Sequence, residues 1–599
     1  MSKRTCLAFF AVLAAAAPPG VYCAERIAAS VGRFDSAAFD VERSARSQRL
    51  RSELEAFDAK LAAESTAAER EAWHDYLEWE AWAEPFLNTG EINADVARTI
   101  SKRLFAESEG FEHPQIDRLR WALIEHLDAL AAEAGDSAGE TLSATATVEA
   151  VLQASDYNYA ELEEAFWRLA ATGQGGALRD ALAKQFSGPL IVGQIRRDLV
   201  EARVDQFQTT SQETRHTRNR ISGASVVGTS TVDTNTTAEM LNGPHGATLR
   251  VTARGTVRSP RNVATRDRIR VVSSSDSSFT AVADVYWHGN SLTFSTPQAD
   301  ANTNSRIRSI SAPALGRRIA ERRVRESRAS GEAQAERMIE EQTAESMAER
   351  LTKAVAKLNK RTERFLAFLS RTGNQSLEWS TLLREGSVQI GYRPRTRSGL
   401  GAPSHRTPPL KGEEAVMLSF HDSAFETLLE KHVAGTVWTD VTFSKMQREV
   451  TGGTTEAMMI GLEPERWSVR WSWRRPVSIH FDEEAATIRY RFEWVEIDRE
   501  RFDAPCEVSQ RLDVSADNLG HQLTRLEPVS VTSTDPARPL PTVARNFLER
   551  KFERPVSEPF YFDGLQFPAG GELDGFAGFQ SLGAQLENHW LHLTYAKRR

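Results

Sequence analysis

The 599-residue chain contains only three cysteines, and two of them, Cys6 and Cys23, lie within the first 24 residues. If those residues are removed as a leader, Cys506 has no partner, which excludes an intramolecular disulfide. A chain of this length can bury enough apolar surface to fold without cross-links. No run of about 18 apolar residues occurs, so no transmembrane segment is predicted in the mature chain.

Charge of one sign is not in large excess, because 74 basic and 82 acidic residues give a formal net charge of -8. This balance argues against a general nucleic-acid binder. The sequence also has no P-loop, no G-x-S-x-G elbow, no H-E-x-x-H helix and no cysteine cluster. We therefore predict no cofactor, and no catalytic residues can be named.

The first 24 residues have the layout of a secretory signal peptide. Lys3 and Arg4 precede an apolar stretch over residues 6–17, and the small residue Ala24 ends the segment. The apolar stretch is too short to span a bilayer. We expect residues 1–24 to be removed and the protein to be exported to a periplasmic or extracellular location.

Apolar periodicity predicts an α+β multidomain protein with five segments after the leader. Residues 36–186 repeat at steps of three and four, as in an N-terminal α-helical bundle, and residues 188–312 alternate as in an antiparallel β-meander. A long charged helix follows, then a strand with a Pro/Gly loop, and finally an aromatic-faced, antiparallel β-rich domain with one capped helix; these occupy residues 313–371, 372–412 and 413–599.

Two of these segments carry a more specific expectation. Residues 134–147 are rich in small side chains, and we interpret them as a linker inside the helical region. In the long helix, Met347, Leu351, Val355 and Leu358 recur at steps of four and three. This spacing predicts a coiled-coil seam.

Polar residues gather where the last domain passes from a strand to its helix. Ser423 and Glu426 have the spacing of a capping box. His421 and Asp422 precede them, either as a functional pair or, as we favour, with Asp422 or Ser423 acting as a simple cap. His589 and His592 are the most closely spaced histidines, but in a strand they would point to opposite faces, so no metal site is predicted.

The clearest pattern in the chain is an aromatic hairpin in the last domain, in which residues two apart should share a face. One strand carries Trp467, Trp471 and Trp473, and the other carries Tyr490, Phe492 and Trp494. Such a surface either packs as core or lines a pocket for an apolar ligand. We take these six residues as the candidate ligand-binding residues.

A second candidate surface is basic. Arg317, Arg318, Arg322 and Arg323 lie close together at the start of the long helix. They are candidates for contact with an anionic surface. The alternative is a solvated helix face that pairs with carboxylates.

Three stretches resemble an uncharacterised family of large exported proteins from planctomycete bacteria. They are LRVTARGTV at 249–257, GRRIAERRV at 316–324 and LSFHDSAF at 418–425. The resemblance implies export and the same succession of segments, and it assigns no activity. The strand, capped helix and aromatic sheet also resemble tubular lipid-binding domains in topology, which implies an apolar ligand.

Two functions from different classes follow from these observations. The first is an exported, non-catalytic envelope protein that binds an apolar or amphiphilic ligand or acts as an interaction scaffold, with a lipid or another envelope component as its partner. The alternative is a secreted hydrolase whose catalytic carboxylates are dispersed in sequence. The sequence leaves the oligomeric state and any enzymatic activity open.

Overall fold

The computed structural model describes residues 34–105, 111–133, 137–153, 159–204, 210–221, 224–244, 246–266, 268–288, 291–313, 317–371, 376–384, 386–397, 399–403, 407–443, 466–517, 520–553, 560–562, 579–587 and 589–597. The predicted signal peptide lies outside these residues. The α+β class is confirmed, since helices come first and antiparallel sheets follow. Within the described residues, no helix combines the length and the apolar character that crossing a bilayer requires.

The N-terminal region is helical, as predicted. Its described helices are α1 (Ser36–Glu64), α2 (Ala67–Tyr76), α3 (Trp79–Thr89), α4 (Ala94–Arg103), α5 (Pro114–Glu133), α6 (Ser137–Gln153), α7 (Tyr159–Ala171) and α8 (Gly176–Gln185). Leu50, Leu54, Phe57 and Leu61 of α1 are buried on one face. The linker predicted at 134–147 is wrong, because α6 occupies most of it and alanine strongly favours helix.

The next unit is a six-stranded antiparallel sheet, here called the meander sheet. Its strands are β2 (Thr210–Ile221), β3 (Ala224–Gly243), β4 (Gly246–Arg266), β5 (Ile269–His288), β6 (Ser291–Phe294) and β7 (Gln298–Ser311). Strands β2 to β6 pair in sequence order, and β7 also pairs with β5. Val251, Ala253, Ala281, Ala283 and Val285 are buried, so the alternation in the sequence correctly predicted one buried face.

Two helices follow the meander sheet, α10 (Arg317–Glu326) and the 44-residue α11 (Arg328–Arg371). Met347, Leu351 and Val355 of α11 pack on the buried face of β4 and β5. The coiled-coil prediction is therefore wrong for these residues, since the partner of the apolar stripe is a sheet. A stripe at steps of four fits any flat apolar surface.

A row of glutamates fastens α11 to strand β7. The carboxylates of Glu332, Glu336 and Glu340 accept hydrogen bonds from the backbone N–H groups of Ser305, Thr303 and Ala301, with N···O distances of 2.8, 2.8 and 3.1 Å. Four helical residues rise about 6.0 Å, and two strand residues rise about 6.7 Å. The two repeats nearly match, so three successive pairs form. They satisfy strand N–H groups at the edge of the sheet.

A second antiparallel sheet, the junction sheet, collects strands from distant parts of the chain. It consists of β1 (Ile191–Arg196), β8 (Ser376–Arg384), β9 (Ser387–Pro394), β10 (Glu414–His421), β20 (Phe579–Glu587) and β21 (Trp590–Lys597), in the order β20-β21-β10-β1-β9-β8. A short helix, α9 (Arg197–Val204), follows β1.

The tip of the β3–β4 hairpin docks against β8. Gly246 has a φ of 91°, and a Cβ there would collide with the backbone of Thr381. The side chain of Asn242 accepts a hydrogen bond from the N–H of Leu383 at 3.2 Å. Met240, Ala247, Leu383 and Val388 form a small core at this contact. Only glycine combines this conformation with so close an approach.

The third sheet, the aromatic sheet, is built from C-terminal residues. Its strands are β11 (Val437–Thr439), β12 (Trp467–Trp471), β13 (Val477–Phe481), β14 (Ala486–Ile497), β15 (Glu500–Phe502), β16 (Cys506–Asp517), β17 (Gly520–Arg525), β18 (Ser530–Ser533) and β19 (Phe560–Phe562). Two helices accompany it, α12 (Asp422–Val433) and a helix that the sequence did not predict, α13 (Thr542–Glu553). Apolar residues of the junction and aromatic sheets share one core.

Candidate functional site

A cavity of about 1230 Å³ lies between the meander sheet and α11. Strands β2 to β5 form one side, α11 covers the other, and residues of β8 and β9 contribute at the junction sheet. Folded interiors contain few voids larger than a water molecule, and ligand pockets commonly span about 300–1,000 Å³. The space is therefore large enough for a sizeable ligand.

One wall of the cavity is apolar, because β4 and β5 turn their buried face toward it. The wall consists of Ala247, Leu249, Val251, Ala253, Phe279 and Val285 from the strands, with Met347, Leu351, Val355 and Leu358 from α11. Several of these side chains are small, and Ala354 of α11 also borders the space. Short side chains opposite α11 leave volume that nothing in the described chain fills.

A second part of the lining, here called the polar wall, carries hydroxyl and charged groups. Strands β2 and β3 contribute Thr210, Ser211, Glu213, Arg215, Thr234 and Thr236, and α11 contributes Gln342, Thr343, Ser346, Arg350 and Lys357. On α11 these polar positions form a second stripe beside the apolar one, because both stripes step by three and four residues. The cavity is therefore amphipathic, with apolar groups along one stripe of α11 and polar groups along the neighbouring stripe.

The charges of the polar wall are unequal. Arg215 donates a 2.8 Å hydrogen bond to Glu213, and this bond, with the nearby charge of Arg350, lowers the pKa of that carboxyl. Glu213 is thus ionised at neutral pH, and three cations, Arg215, Arg350 and Lys357, line the same cavity. It is the one carboxylate among the residues that line the cavity, so these residues do not supply the pair of acids that a glycosidase requires.

A separate polar cluster surrounds the start of α12. Oδ2 of Asp422 lies 2.8 Å from Nδ1 of His589 and 3.7 Å from Nδ1 of His480, and its Oδ1 lies 3.1 Å from Nδ1 of His421. Burial alone would raise the pKa of Asp422. Interactions with His421, His480 and His589 outweigh burial and lower that pKa well below its usual range.

The predicted cap of this helix, Asp422 or Ser423 with Glu426 completing a capping box, is wrong. The N-cap is His421, whose Nδ1 accepts from the N–H of Ser423 at 3.4 Å and lies 2.8 Å from the Ser423 hydroxyl. Glu426 instead accepts a 3.1 Å hydrogen bond from Arg475. Burial raises the pKa of Glu426 to about 8, against the attraction of Arg475. The N–H of Ile479 also donates to Glu426 at 3.3 Å, so this side chain binds residues near β13 instead of the start of its own helix.

The two C-terminal histidines do not share a site. His589 precedes β21 with a φ of 71°, and its ring contacts Asp422. His592 lies within β21, where Nδ1 is 2.8 Å from the hydroxyl of Ser419.

The structure confirms pairing between the aromatic strands and places four of the six aromatic candidates together. Trp467, Trp471, Tyr490 and Phe492 contribute to one core, with the rings of Trp471 and Phe492 4.8 Å apart. Burial raises the pKa of Tyr490 to about 12. None of the six lines the cavity beside α11. Their role as ligand-binding residues stays a prediction.

The prediction that all six residues share a face is wrong for Trp494 and Trp473. A bulge follows Arg470, and Val495 points into the core, so its neighbour Trp494 points away and packs under Arg501. Trp473 lies beyond the end of β12, in the core of the N-terminal helices. One register shift displaces Trp494, and the end of β12 at Trp471 releases Trp473 from the alternation that the sequence pattern assumed.

The four arginines of the basic candidate surface are exposed on α10. Arg317 pairs with Glu321 at 3.2 Å and Arg322 with Glu326 at 3.6 Å, both one helical turn apart. These pairs fit the alternative of a solvated helix face, and contact with an anionic surface stays a prediction.

No family model and no curated protein matches the chain. Similar solved structures include a crystal structure of lipopolysaccharide binding protein, with a TM-score of 0.24 and 10% identity over 69% of this chain and 100% of that chain. They also include P47 of Clostridium botulinum E1, with a TM-score of 0.28 and 8% identity over 69% and 99% of the two chains. A similarity of this extent assigns no function.

Proposed function

We propose that this protein is an exported, non-catalytic envelope protein that binds an amphiphilic molecule in the cavity beside α11. The observation that supports the proposal is the amphipathic lining, with an apolar wall on β4 and β5 and a polar, net cationic wall on β2 and α11. An apolar chain would lie against the first wall. An anionic head group would lie near Arg350 and Lys357.

The proposed ligand class follows from the two walls together. A purely polar molecule would leave the apolar wall wet, and burial of apolar surface contributes about 25 cal/mol per Å². A purely apolar molecule would place uncharged atoms beside Arg350 and Lys357. An amphiphile of lipid type matches both, and it agrees with the proposed location outside the cytoplasm.

The first experiment is extraction of the purified full-length protein with organic solvent, followed by mass spectrometry. We expect a co-purifying amphiphile. Binding is then measured on stripped protein with a fluorescent long-chain fatty acid, and the variant Ala354→Phe places a ring in the cavity. We expect this ring to displace part of the apolar chain of the probe. Because the displaced part loses its buried apolar contact, binding should weaken at least about tenfold.

The matched control is Ala356→Phe, which makes the same change two residues later, at an exposed position of the same helix. It should bind the probe as the unchanged protein does. Equal binding by the two variants, with both folded by circular dichroism, would place the probe elsewhere and contradict the proposal.

The head-group contact has its own test in Arg350→Gln. This variant should lose more affinity for a fatty acid than for the fatty alcohol of equal chain length, because only the acid carries a charge. Lys353→Gln is the control, since Lys353 is exposed and pairs with Glu349 at 2.6 Å outside the cavity. An equal loss for acid and alcohol would show that Arg350 does not face the head group.

A further inference from the structure

Three side chains from separate elements converge beside the start of α12. Asp422 opens the helix, His480 lies on β13, and His589 lies in the turn before β21. Each offers one ligand atom, and these atoms all lie within 4.8 Å of one another. We propose that Asp422, His480 and His589 bind one divalent transition-metal ion of the Zn²⁺ class.

The donor set selects the type of ion. Two imidazole nitrogens and one carboxylate oxygen suit Zn²⁺ and its first-row neighbours, with bonds of about 2.0–2.2 Å. Ca²⁺ and Mg²⁺ prefer sites made entirely of oxygen. Three protein ligands leave a position for water or another ligand in a tetrahedral site.

Hydrogen bonding at Oδ1 orients the carboxylate of Asp422 so that Oδ2 is available to a metal ion. Oδ1 of Asp422 accepts a 2.8 Å hydrogen bond from the N–H of Ser423 and lies beside His421. Oδ2 is left facing His480 and His589. Contacts that orient a metal ligand in this way are a regular part of metal sites.

The backbone fixes the third ligand as well. The N–H of Asp422 donates a 2.9 Å hydrogen bond to the carbonyl oxygen of His589. His589 adopts its positive φ at this contact, a conformation uncommon for residues other than glycine. The imidazole of His589 is thereby aimed at the carboxylate.

The site is accessible and independent of the cavity. The side chain of His480 is 34% exposed, while that of Asp422 is 4% exposed, so an ion can enter from the His480 side. None of the three residues lines the cavity beside α11. A bound ion would join the junction sheet, through His589, to the aromatic sheet, through His480.

The test uses tag-free, full-length protein that has been stripped of metal with a chelator. Calorimetric titration with ZnCl₂ should show one equivalent bound, and CoCl₂ should give the visible absorption of a low-coordinate Co²⁺ site. Zn²⁺ should also raise the thermal midpoint of unfolding, because the ion binds only the folded arrangement. Absence of stoichiometric binding of both ions would overturn the proposal.

The decisive variant is His480→Ala, because this partly exposed residue can be removed without opening the core. We expect Zn²⁺ affinity to fall at least about 100-fold. Mutation of a residue that only orients a metal ligand costs up to about 100-fold, and removal of a ligand itself should cost at least as much. As the control, His432→Ala removes an exposed histidine from α12, the helix that Asp422 opens, and should leave affinity unchanged. Unchanged affinity in folded His480→Ala, or an equal loss in His432→Ala, would overturn the assignment whatever the outcome of the fatty-acid experiments.

Discussion

The meander sheet and the aromatic sheet are both antiparallel with one buried face, but a large cavity lies beside the first, whereas the described residues of the second pack as an aromatic core. In the aromatic sheet, Trp467, Trp471 and Phe492 interlock with α13 and fill the space. In the meander sheet, residues such as Ala247 and Ala253 are too short to reach α11 everywhere. The volume of the inward side chains, more than their hydrophobicity, therefore decides where a ligand can enter.

The largest contrast is expected in the reactivity of a thiol placed in each region. Burial in the aromatic core raises the pKa of Cys506 to about 12. At pH 8 its thiolate should be about 10³-fold scarcer than that of an ordinary cysteine, since each pKa unit is a factor of ten. We expect N-ethylmaleimide to leave Cys506 unlabelled in the folded chain beginning at Glu25.

The counterpart is Ala354→Cys in a chain that also carries Cys506→Ala. This thiol borders the cavity, and it should be labelled at a rate near that of an unfolded chain, as followed by mass spectrometry. Rapid labelling of native Cys506, or protection of the cavity thiol without ligand, would remove the proposed contrast.

The next largest effect is expected from Trp471→Ala. Trp471 is 2% exposed and contacts four aromatic rings of its core. Truncation of such a side chain should lower the free energy of unfolding by about 3–5 kcal/mol. Chemical denaturation measures this loss. A stable Trp471→Ala protein that no longer binds the fatty-acid probe would instead make the aromatic core the ligand site.

The smallest effect compares one substitution in two helices. Ala544 of α13 is fully buried in the aromatic core, so Ala544→Leu overpacks it and should cost about 1–3 kcal/mol. Ala354→Leu extends into the cavity and should change the free energy of unfolding by less than about 0.5 kcal/mol. Equal costs in denaturant titrations would mean that the cavity is as tightly packed as the aromatic core.

Local periodicity was enough to predict the helical region, the meander and the aromatic strands. Leu50 and Leu54, and likewise Val251 and Ala253, follow the period of the element that contains them. The cavity was not predictable, because the same alternation describes a filled and an unfilled face. A hint was present in the small residues of β4, which lie against the apolar stripe of α11.

The polar cluster was missed for a different reason. Asp422, His480 and His589 are far apart in sequence, and only the pairing of three elements brings them together. Motif spacing detects ligands that share one helix or loop, as in H-E-x-x-H. The displaced Trp494 depends on a bulge, which the alternation of residue types did not reveal.

Because of the glutamates that join α11 to β7, the strand should tolerate substitution better than the helix does. Glu332, Glu336 and Glu340 bind main-chain amides, which every residue except proline possesses. The strand can therefore exchange its side chains at 301, 303 and 305 without losing the attachment, while the helix must keep its three carboxylates. Among related sequences, we expect residues 301, 303 and 305 of β7 to vary, and the three glutamates of α11 to stay unchanged.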